Sequence, residues 1–252
     1  MTAPIALQLY SVRDVMAREG FEKVVRQVAD MGYVGVEPAG FPGTTPQKAG
    51  QLFAQLGLEV PSAHVALPLG EDKQPVLDTM AAIGCKRIVS GKGPDDFKTM
   101  DLIAQTCDQF NQSAAVAAEH GMQFVIHNHW WEYEKLGQRY VYEIMLEQLD
   151  PSILFEIDTY WVQAAGRDPA QVVEQFGPRA PLLHLKDGST VKSDPMTAIG
   201  DGVLDFPRII EAAGDHVEWL IVELDRCATD MVEAVAQSYR YLVGEGLARG
   251  KK

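Results

Sequence analysis

Short apolar runs and amphipathic runs alternate along the whole sequence. Eight of the runs have the apolar, β-branched character of buried strands. These predicted strands lie at 5–11, 34–37, 60–64, 87–90, 123–129, 153–158, 181–186 and 219–224. A helix-type pattern follows each strand, at 21–31, 46–56, 74–83, 100–120, 140–149, 169–176, 206–213 and 231–242. The pattern therefore predicts eight strand–helix units.

The helix at 21–31 illustrates the pattern. Its apolar residues recur at the i, i+3, i+4 spacing that places them on one face of a helix. They are Phe21, Val24, Val25, Val28 and Ala29. Gly32 follows, and glycine is the preferred residue just after the end of a helix. This helix is predicted to bury one face against the strands.

Strict alternation of strands and helices predicts a parallel sheet with crossover helices. Eight units in 252 residues match the size of a closed (β/α)₈ barrel. We therefore expect one α/β barrel domain spanning 1–252. A doubly wound open sheet is the alternative, but such folds usually carry a glycine-rich loop after the first strand. Residues 8–13 contain no glycine.

The composition of the chain indicates which classes of partner and which cellular compartment to expect. The formal net charge of −13 argues against nucleic acid as a partner, because phosphate binding needs clustered Lys and Arg. Cys85, Cys107 and Cys227 are scattered without a Cys-x-x-Cys spacing, as expected of reduced thiols. No targeting leader is visible, and no apolar run reaches the roughly 18 residues of a membrane span. We expect a cytoplasmic protein without a membrane partner.

Polar side chains stand at or near the carboxyl ends of the predicted strands, where barrels of this type carry their chemistry. They are Gln8, Glu37, His64, Ser90, His127, His129, Asp158, His184, Lys186 and Glu223. Asp158, His184 and Glu223 lie four or five residues into apolar runs. An isolated charge is costly to bury there, and a divalent cation would supply a partner.

Two carboxylates and an imidazole form a mixed oxygen and nitrogen site that suits one Mn²⁺, Mg²⁺, Co²⁺ or Zn²⁺ ion. No cysteine lies near them, which argues against a closed structural zinc site. A fourth ligand is expected from the fifth strand or its loop. Glu132 is slightly favoured, with His127 and His129 as the alternatives.

Several motifs resemble the sugar phosphate isomerase/epimerase superfamily, the xylose isomerase-like TIM barrels, over nearly the whole chain. The motifs are LQLYSVR (7–13), GVEPAG (35–40), SAH (62–64), HNHWWE (127–132), EIDTYW (156–161), LLHLKD (182–187), GDGVLDF (200–206) and VELD (222–225). The resemblance implies a divalent metal held by Glu, Asp, His and Glu from strands five to eight. Asp158, His184 and Glu223 match the last three.

The match fails at the first ligand. Many epimerases carry Glu-Pro-x-Asn-Arg where this chain has His127, Asn128 and His129. This His-Asn-His branch resembles sugar isomerases and also enzymes that act on inososes and 3-keto-glycosides. The resemblance also implies that a homo-oligomer is common, while the oligomeric state of this chain stays open.

The resemblance and the residues together predict a metal-dependent isomerase or epimerase that acts on a ketose, inosose or keto-sugar through an enediolate. Glu223 and one of His127, His129 and Glu132 are the expected bases, and Lys186 would neutralise charge on oxygen. The residues expected on the substrate are Gln8, Glu37, His64 and Trp161. Trp161 belongs to a group of aromatic residues that would form either a sugar-binding wall or ordinary loop packing, namely Trp130, Trp131, Tyr160 and Trp161.

Three other functions are alternatives for a barrel of this type. A lyase or hydratase would use the same metal and base and then expel a leaving group. A DNA-cutting endonuclease on this barrel needs more His and Asp ligands than the chain offers, and a non-catalytic barrel is the remaining alternative. No glycine-rich loop or arginine cluster is present to bind phosphate, which favours an unphosphorylated sugar or polyol.

Overall fold

A computed structural model describes residues 2–251. Eight parallel strands form a nearly closed barrel. They are β1 (Ile5–Gln8), β2 (Gly35–Glu37), β3 (Ala63–His64), β4 (Arg87–Ser90), β5 (Gln123–His127), β6 (Leu154–Asp158), β7 (Leu182–Leu185) and β8 (Trp219–Val222). The ring runs β2-β1-β8-β7-β6-β5-β4-β3. Between β2 and β3 the backbone of Val36 donates to the Glu59 carbonyl at 2.9 Å, and His64 donates to the Pro38 carbonyl at 2.9 Å. The predicted TIM barrel is confirmed.

Ten α-helices surround the strands in the described part of the chain. They are α1 (Arg13–Glu19), α2 (Phe21–Met31), α3 (Pro46–Leu56), α4 (Lys73–Ile83), α5 (Met100–Glu119), α6 (Val141–Leu146), α7 (Thr159–Ala164), α8 (Pro169–Phe176), α9 (Phe206–Ala213) and α10 (Met231–Gly244). None of them is long and apolar enough to cross a membrane. Residues Lys135–Leu136 and Arg139–Tyr140 also form a small antiparallel hairpin.

Two of these helices, α1 and α7, were not predicted. A strand-end side chain caps the 3₁₀ segment that precedes α1, and another caps α7 directly. The first strand ends at Gln8, whose side-chain oxygen accepts from the Tyr10 backbone N–H at 3.0 Å. The chain then turns through a 3₁₀ segment into α1. At β6, Asp158 Oδ1 accepts from the Trp161 backbone N–H at 3.0 Å and caps α7.

The side chains of each strand point alternately to its two faces, so the buried apolar residues form two separate clusters. A large core cluster lies between the sheet and the helices and contains Ile126, Ile157 and Leu183. A separate small cluster consists of Ala6, Val89, Val125, Leu182, Trp219 and Ile221. Val125, Leu182 and Ile221 each lie two residues before a predicted site residue, so the same strand face continues to it. The barrel interior is therefore apolar near the strand starts and polar at their carboxyl ends.

Candidate active site

Four side chains from consecutive strands converge at the carboxyl end of the barrel. His127 ends β5, Asp158 ends β6, His184 lies in β7, and Glu223 follows β8 directly. One nitrogen or oxygen atom of each lies within 4.8 Å of the others. All four are buried. Adjacent strand pairing aligns Asp158 with His184, which explains their common depth.

His184 lies at the centre of the carboxylates. Its Nδ1 is 2.8 Å from Glu223 Oε2, and its Nε2 is 3.0 Å from Glu156 Oε2 and 3.2 Å from Glu37 Oε1. Burial acts to lower the pKa of His184, but the charges of Glu156, Glu37 and Glu223 raise it well above its usual value. In the metal-free chain His184 is therefore an imidazolium.

Lys186 is a second buried cation, and its ammonium contacts three carboxylates. The Nζ atom lies 2.9 Å from Asp158 Oδ2, 2.7 Å from Glu223 Oε2 and 3.0 Å from Asp225 Oδ2. Burial acts to lower the pKa of Lys186, and the three carboxylates raise it well above the usual value. Before substrate binds, Lys186 is therefore charged and neutralises Asp158 and Glu223.

Glu37 lies beneath this cluster and is fully buried. It accepts hydrogen bonds from the Gln8 amide and the Ser62 hydroxyl. Burial acts to raise the pKa of Glu37, but the charge on His184 lowers it, whereas burial and the Glu37 charge raise the pKa of Glu156 well above its usual value. Of these two adjacent carboxyl groups, Glu156 therefore takes up a proton more readily than Glu37. The sequence assigned Glu37 to a substrate hydroxyl, but Glu37 is fully buried and lies outside the cavity lining described below.

The loop after β5 separates its polar residues onto two sides of the strand. His127 and His129 line the cavity together, with their rings 4.9 Å apart. Asn128 points away and accepts from the Asp158 backbone N–H at 3.0 Å. Glu132, the favoured fourth ligand, accepts from the His129 backbone N–H at 2.9 Å and lies against Tyr133 on the outer side of β5. The structure thus brings His127, and not Glu132, to Asp158, His184 and Glu223.

The imidazoles of the β5 loop are neutral. Burial and the charge of His184 hold the pKa of His127 well below its usual value. Burial and the charge of Lys186 lower the pKa of His129 to about 3. The Nδ1 atom of His129 is buried and has no hydrogen-bond partner in the described chain. His129 also stacks on Trp131 at 4.2 Å, which fixes its ring.

A cavity of about 640 Å³ opens above these groups. Its lining includes Gln8, Tyr10, Phe41, His64, Val65, His127, His129, Lys186, Glu223 and Asp225. Trp161, which was expected to touch substrate, lies outside this lining and packs on Trp130 at 4.7 Å, with Lys186 Nζ 5.6 Å from its ring. Sequence reasoning missed Asp225, Tyr10 and Phe41. Asp225 lies in the VELD motif and Tyr10 in the LQLYSVR motif, whereas Phe41 lies outside every motif named above.

The donor set fits a divalent cation. Two imidazoles and two carboxylates converge without a thiol, and such mixed sets bind first-row divalent ions. Glu37, Glu156 and His184 form a second, deeper group of the same kind in the described chain. Lys186 contacts Asp158 and Glu223 in the first group, so its ammonium and a metal ion would compete for the same carboxylates.

Comparison with known proteins places this geometry in a family context. The family model described as "Xylose isomerase-like TIM barrel" matches residues 25–242. An inosose dehydratase from Geobacillus kaustophilus is 22% identical over 267 residues, covering 87% of this chain and 83% of that protein. Inosose dehydratase 1 from Bacillus cereus is 26% identical over 270 residues, covering 89% and 88%. A sugar phosphate isomerase/epimerase from Parabacteroides distasonis superposes with a TM-score of 0.84 at 23% identity, covering 98% and 100%.

Proposed function

The chain belongs to the xylose isomerase-like TIM barrel family, and on that premise we propose that it dehydrates a polyhydroxylated ketone of the inosose class. The observation that carries the proposal is the contact between Glu223 and Lys186 on one wall of the cavity, at 2.7 Å. This contact places a base, Glu223, and an acid, Lys186, side by side at the cavity. The sequence relatives named inosose dehydratase support this lyase chemistry over the isomerase chemistry that the sequence favoured.

The two residues divide the elimination between them. Burial acts to raise the pKa of Glu223, but the charges of Lys186 and His184 lower it, so Glu223 is a carboxylate that can accept the proton on the carbon next to the carbonyl. The electrons of that C–H bond form a C=C bond to the next carbon of the ring. The C–O bond on that next carbon breaks at the same time, and its hydroxyl group departs. Lys186 donates a proton to the departing oxygen, which leaves as water. The 2.7 Å contact then returns the proton from Glu223 to Lys186.

A divalent ion held by His127, Asp158, His184 and Glu223 would polarise the substrate carbonyl and ease loss of the neighbouring proton. The protein side chains orient the substrate around that position. The positive charge of Lys186 stabilises the negative charge that develops on the departing hydroxyl oxygen. His64 and Gln8 line the same cavity and can bind further hydroxyl groups.

Epimerisation or isomerisation is the second candidate function, and His129 is the observation that favours it. Its neutral ring lines the same cavity as Glu223, and its Nδ1 has no partner in the described chain. A base at His129 would reach the substrate carbon from another side than Glu223. If the proton returned there before water left, the product would be an epimer.

Deuterium exchange separates the two functions. We expect an inosose incubated with the Mn²⁺-loaded protein in D₂O to lose water, as followed by NMR and mass spectrometry. Incorporation of deuterium next to the carbonyl, without loss of water, would assign an isomerase or epimerase instead. If neither inososes nor free ketoses exchange or lose water with the metal-loaded protein, the proposed function is wrong.

The fourth metal ligand is tested by a pair of variants. We expect His127→Ala to weaken Mn²⁺ binding by at least ~10-fold, because even residues that only support a ligand contribute this much to metal affinity. Glu132→Gln should leave the affinity nearly unchanged, since the glutamine oxygen can still accept from the His129 backbone. Isothermal titration calorimetry on both variants measures this. The reverse result would transfer the ligand role to Glu132.

A further inference from the structure

The cavity has two chemically different walls. The end of β5 and the residues that follow β5, β7 and β8 supply the ionisable wall, with His127, His129, Lys186, Glu223 and Asp225. The loops after β1, β2 and β3 supply the other wall, which consists of Tyr10, Ala39, Gly40, Phe41, Val65 and Ala66 and is called the apolar wall below. Gln8, His64 and Thr79 also line the cavity, and within the apolar wall itself the phenol of Tyr10 is the one ionisable group. A small polyol alone would leave this wall facing water.

Tyr10 is held in place although its side chain is 40% exposed. The Arg13 guanidinium lies 3.8 Å from the centre of its ring, as in a cation–π contact. Arg13 is itself fixed, because it donates to the Tyr10 carbonyl at 2.7 Å and to the Asp225 carbonyl at 2.9 Å. Arg13 is not part of the cavity lining, so it contacts the ring without lining the cavity. The exposed ring of Tyr10 is therefore a rigid platform on the cavity.

Phe41 is supported from the core. Its ring lies 6.4 Å from the ring of Phe21, and Phe21 lies 6.0 Å from Phe53. Phe21 and Phe53 are buried, whereas Phe41 is half-buried and lines the cavity. An exposed aromatic surface that is fixed by packing binds apolar ligands at little entropic cost. Tyr10 and Phe41 together form two such surfaces on one wall.

We propose that the apolar wall binds an aromatic or alkyl substituent of the substrate, so that the ligand is a polyhydroxylated ring joined to an apolar group. This inference rests on the proposed function for the ionisable wall, which takes the polyhydroxylated ring. The size of the cavity supports it, because about 640 Å³ lies within the ~300–1,000 Å³ range of sites for drug-sized ligands. The protein then selects its substrate by contacts at two walls.

Binding of unreactive glycosides tests the apolar wall without catalysis. The probes are phenyl β-D-glucopyranoside and methyl β-D-glucopyranoside, measured by calorimetry on the Mn²⁺-loaded full chain. We expect the phenyl glycoside to bind at least ~10-fold more tightly, as burial of one phenyl group predicts. Tyr10→Ala and Phe41→Ala should each reduce this preference, and the double variant should abolish it.

Two control variants test whether the preference for the phenyl glycoside depends on aromatic rings in the apolar wall. Tyr10→Phe retains the ring and should retain the preference, and Tyr140→Ala removes a tyrosine that lies outside the cavity lining. Equal affinity for the two glycosides, including no detectable binding of either, overturns the inference, as does a preference that survives in the double variant. A preference for the phenyl glycoside in a protein that turns over no inosose or ketose would support the apolar wall and refute the proposed reaction alone.

Discussion

Lys186→Met is expected to destabilise the metal-free protein by about 3–5 kcal/mol, the usual cost of removing one partner from a buried ion pair. The Lys186 ammonium is buried and lies within 3.0 Å of Asp158, Glu223 and Asp225. Methionine has a similar length and no charge, so the packing changes little. The variant leaves the fully buried Asp158 carboxylate without this cation. Urea denaturation in the presence of EDTA measures the loss.

The sign of the pH dependence follows from Asp158. Burial raises its pKa to about 6 even beside Lys186, above the ~4 of an unfolded aspartate. A carboxyl group with a raised pKa stabilises the fold below its unfolded pKa, and this contribution is lost as pH rises through the folded pKa. Without Lys186 the pKa should rise further. The deficit of Lys186→Met should therefore be larger at pH 8 than at pH 5.

Binding of a metal ion should reverse the loss of stability in Lys186→Met. Lys186 contacts the carboxylates that would bind the ion, so its removal should increase Mn²⁺ affinity, and saturating Mn²⁺ should restore most of the lost stability. Lys192→Met is the matched control, because Lys192 makes a partly exposed pair with Glu134 at 2.9 Å, worth no more than about 1 kcal/mol. Equal stabilities of the two variants in EDTA would show that Lys186 does not neutralise the site.

The convergence of these four residues was predictable because they lie in strands or directly after one, although the sequence favoured Glu132 over His127 as the fourth metal ligand. Alternation fixes which face a side chain takes, and parallel strands end at the same level, so His127, Asp158, His184 and Glu223 had to meet if the barrel closed. The same alternation places Asn128 on the opposite side of the strand from the two histidines, where it contacts the Asp158 backbone. Strand periodicity therefore carried most of the information about the site.

Loop residues could not be predicted in the same way. Glu132 follows a strand by five residues, and its position depends on a turn that lets its carboxylate accept from the His129 backbone. Tyr10 and Phe41 reach the cavity because Arg13 and Phe21 support them, and these contacts join residues whose spacing shows no periodic signal. The roles of loop side chains follow from three-dimensional packing, which a single sequence does not encode in any simple pattern.

Glu223→Gln is expected to lower the rate of proton removal from the substrate by about 10²–10⁴-fold, the usual contribution of a general base. Glutamine keeps the shape of the side chain and can still accept from Lys186, but its amide cannot take a proton from carbon. Deuterium exchange and product formation, followed by NMR on the same sample, measure the loss. The variant should remain folded, because Asp158 and Asp225 still pair with Lys186.

Asp225→Asn is the control that shows whether Glu223 acts as the base or only as an ion-pair partner of Lys186. Asp225 contacts the same ammonium at 3.0 Å, but Glu223 also contacts His184, at 2.8 Å. If proton removal belongs to Glu223, Asp225→Asn should cost less than ~10-fold, the value of one hydrogen bond to a charged group that keeps other partners. Equal losses in the two variants would mean that both residues act only by holding Lys186, and the base would then have to be sought at His127 or His129.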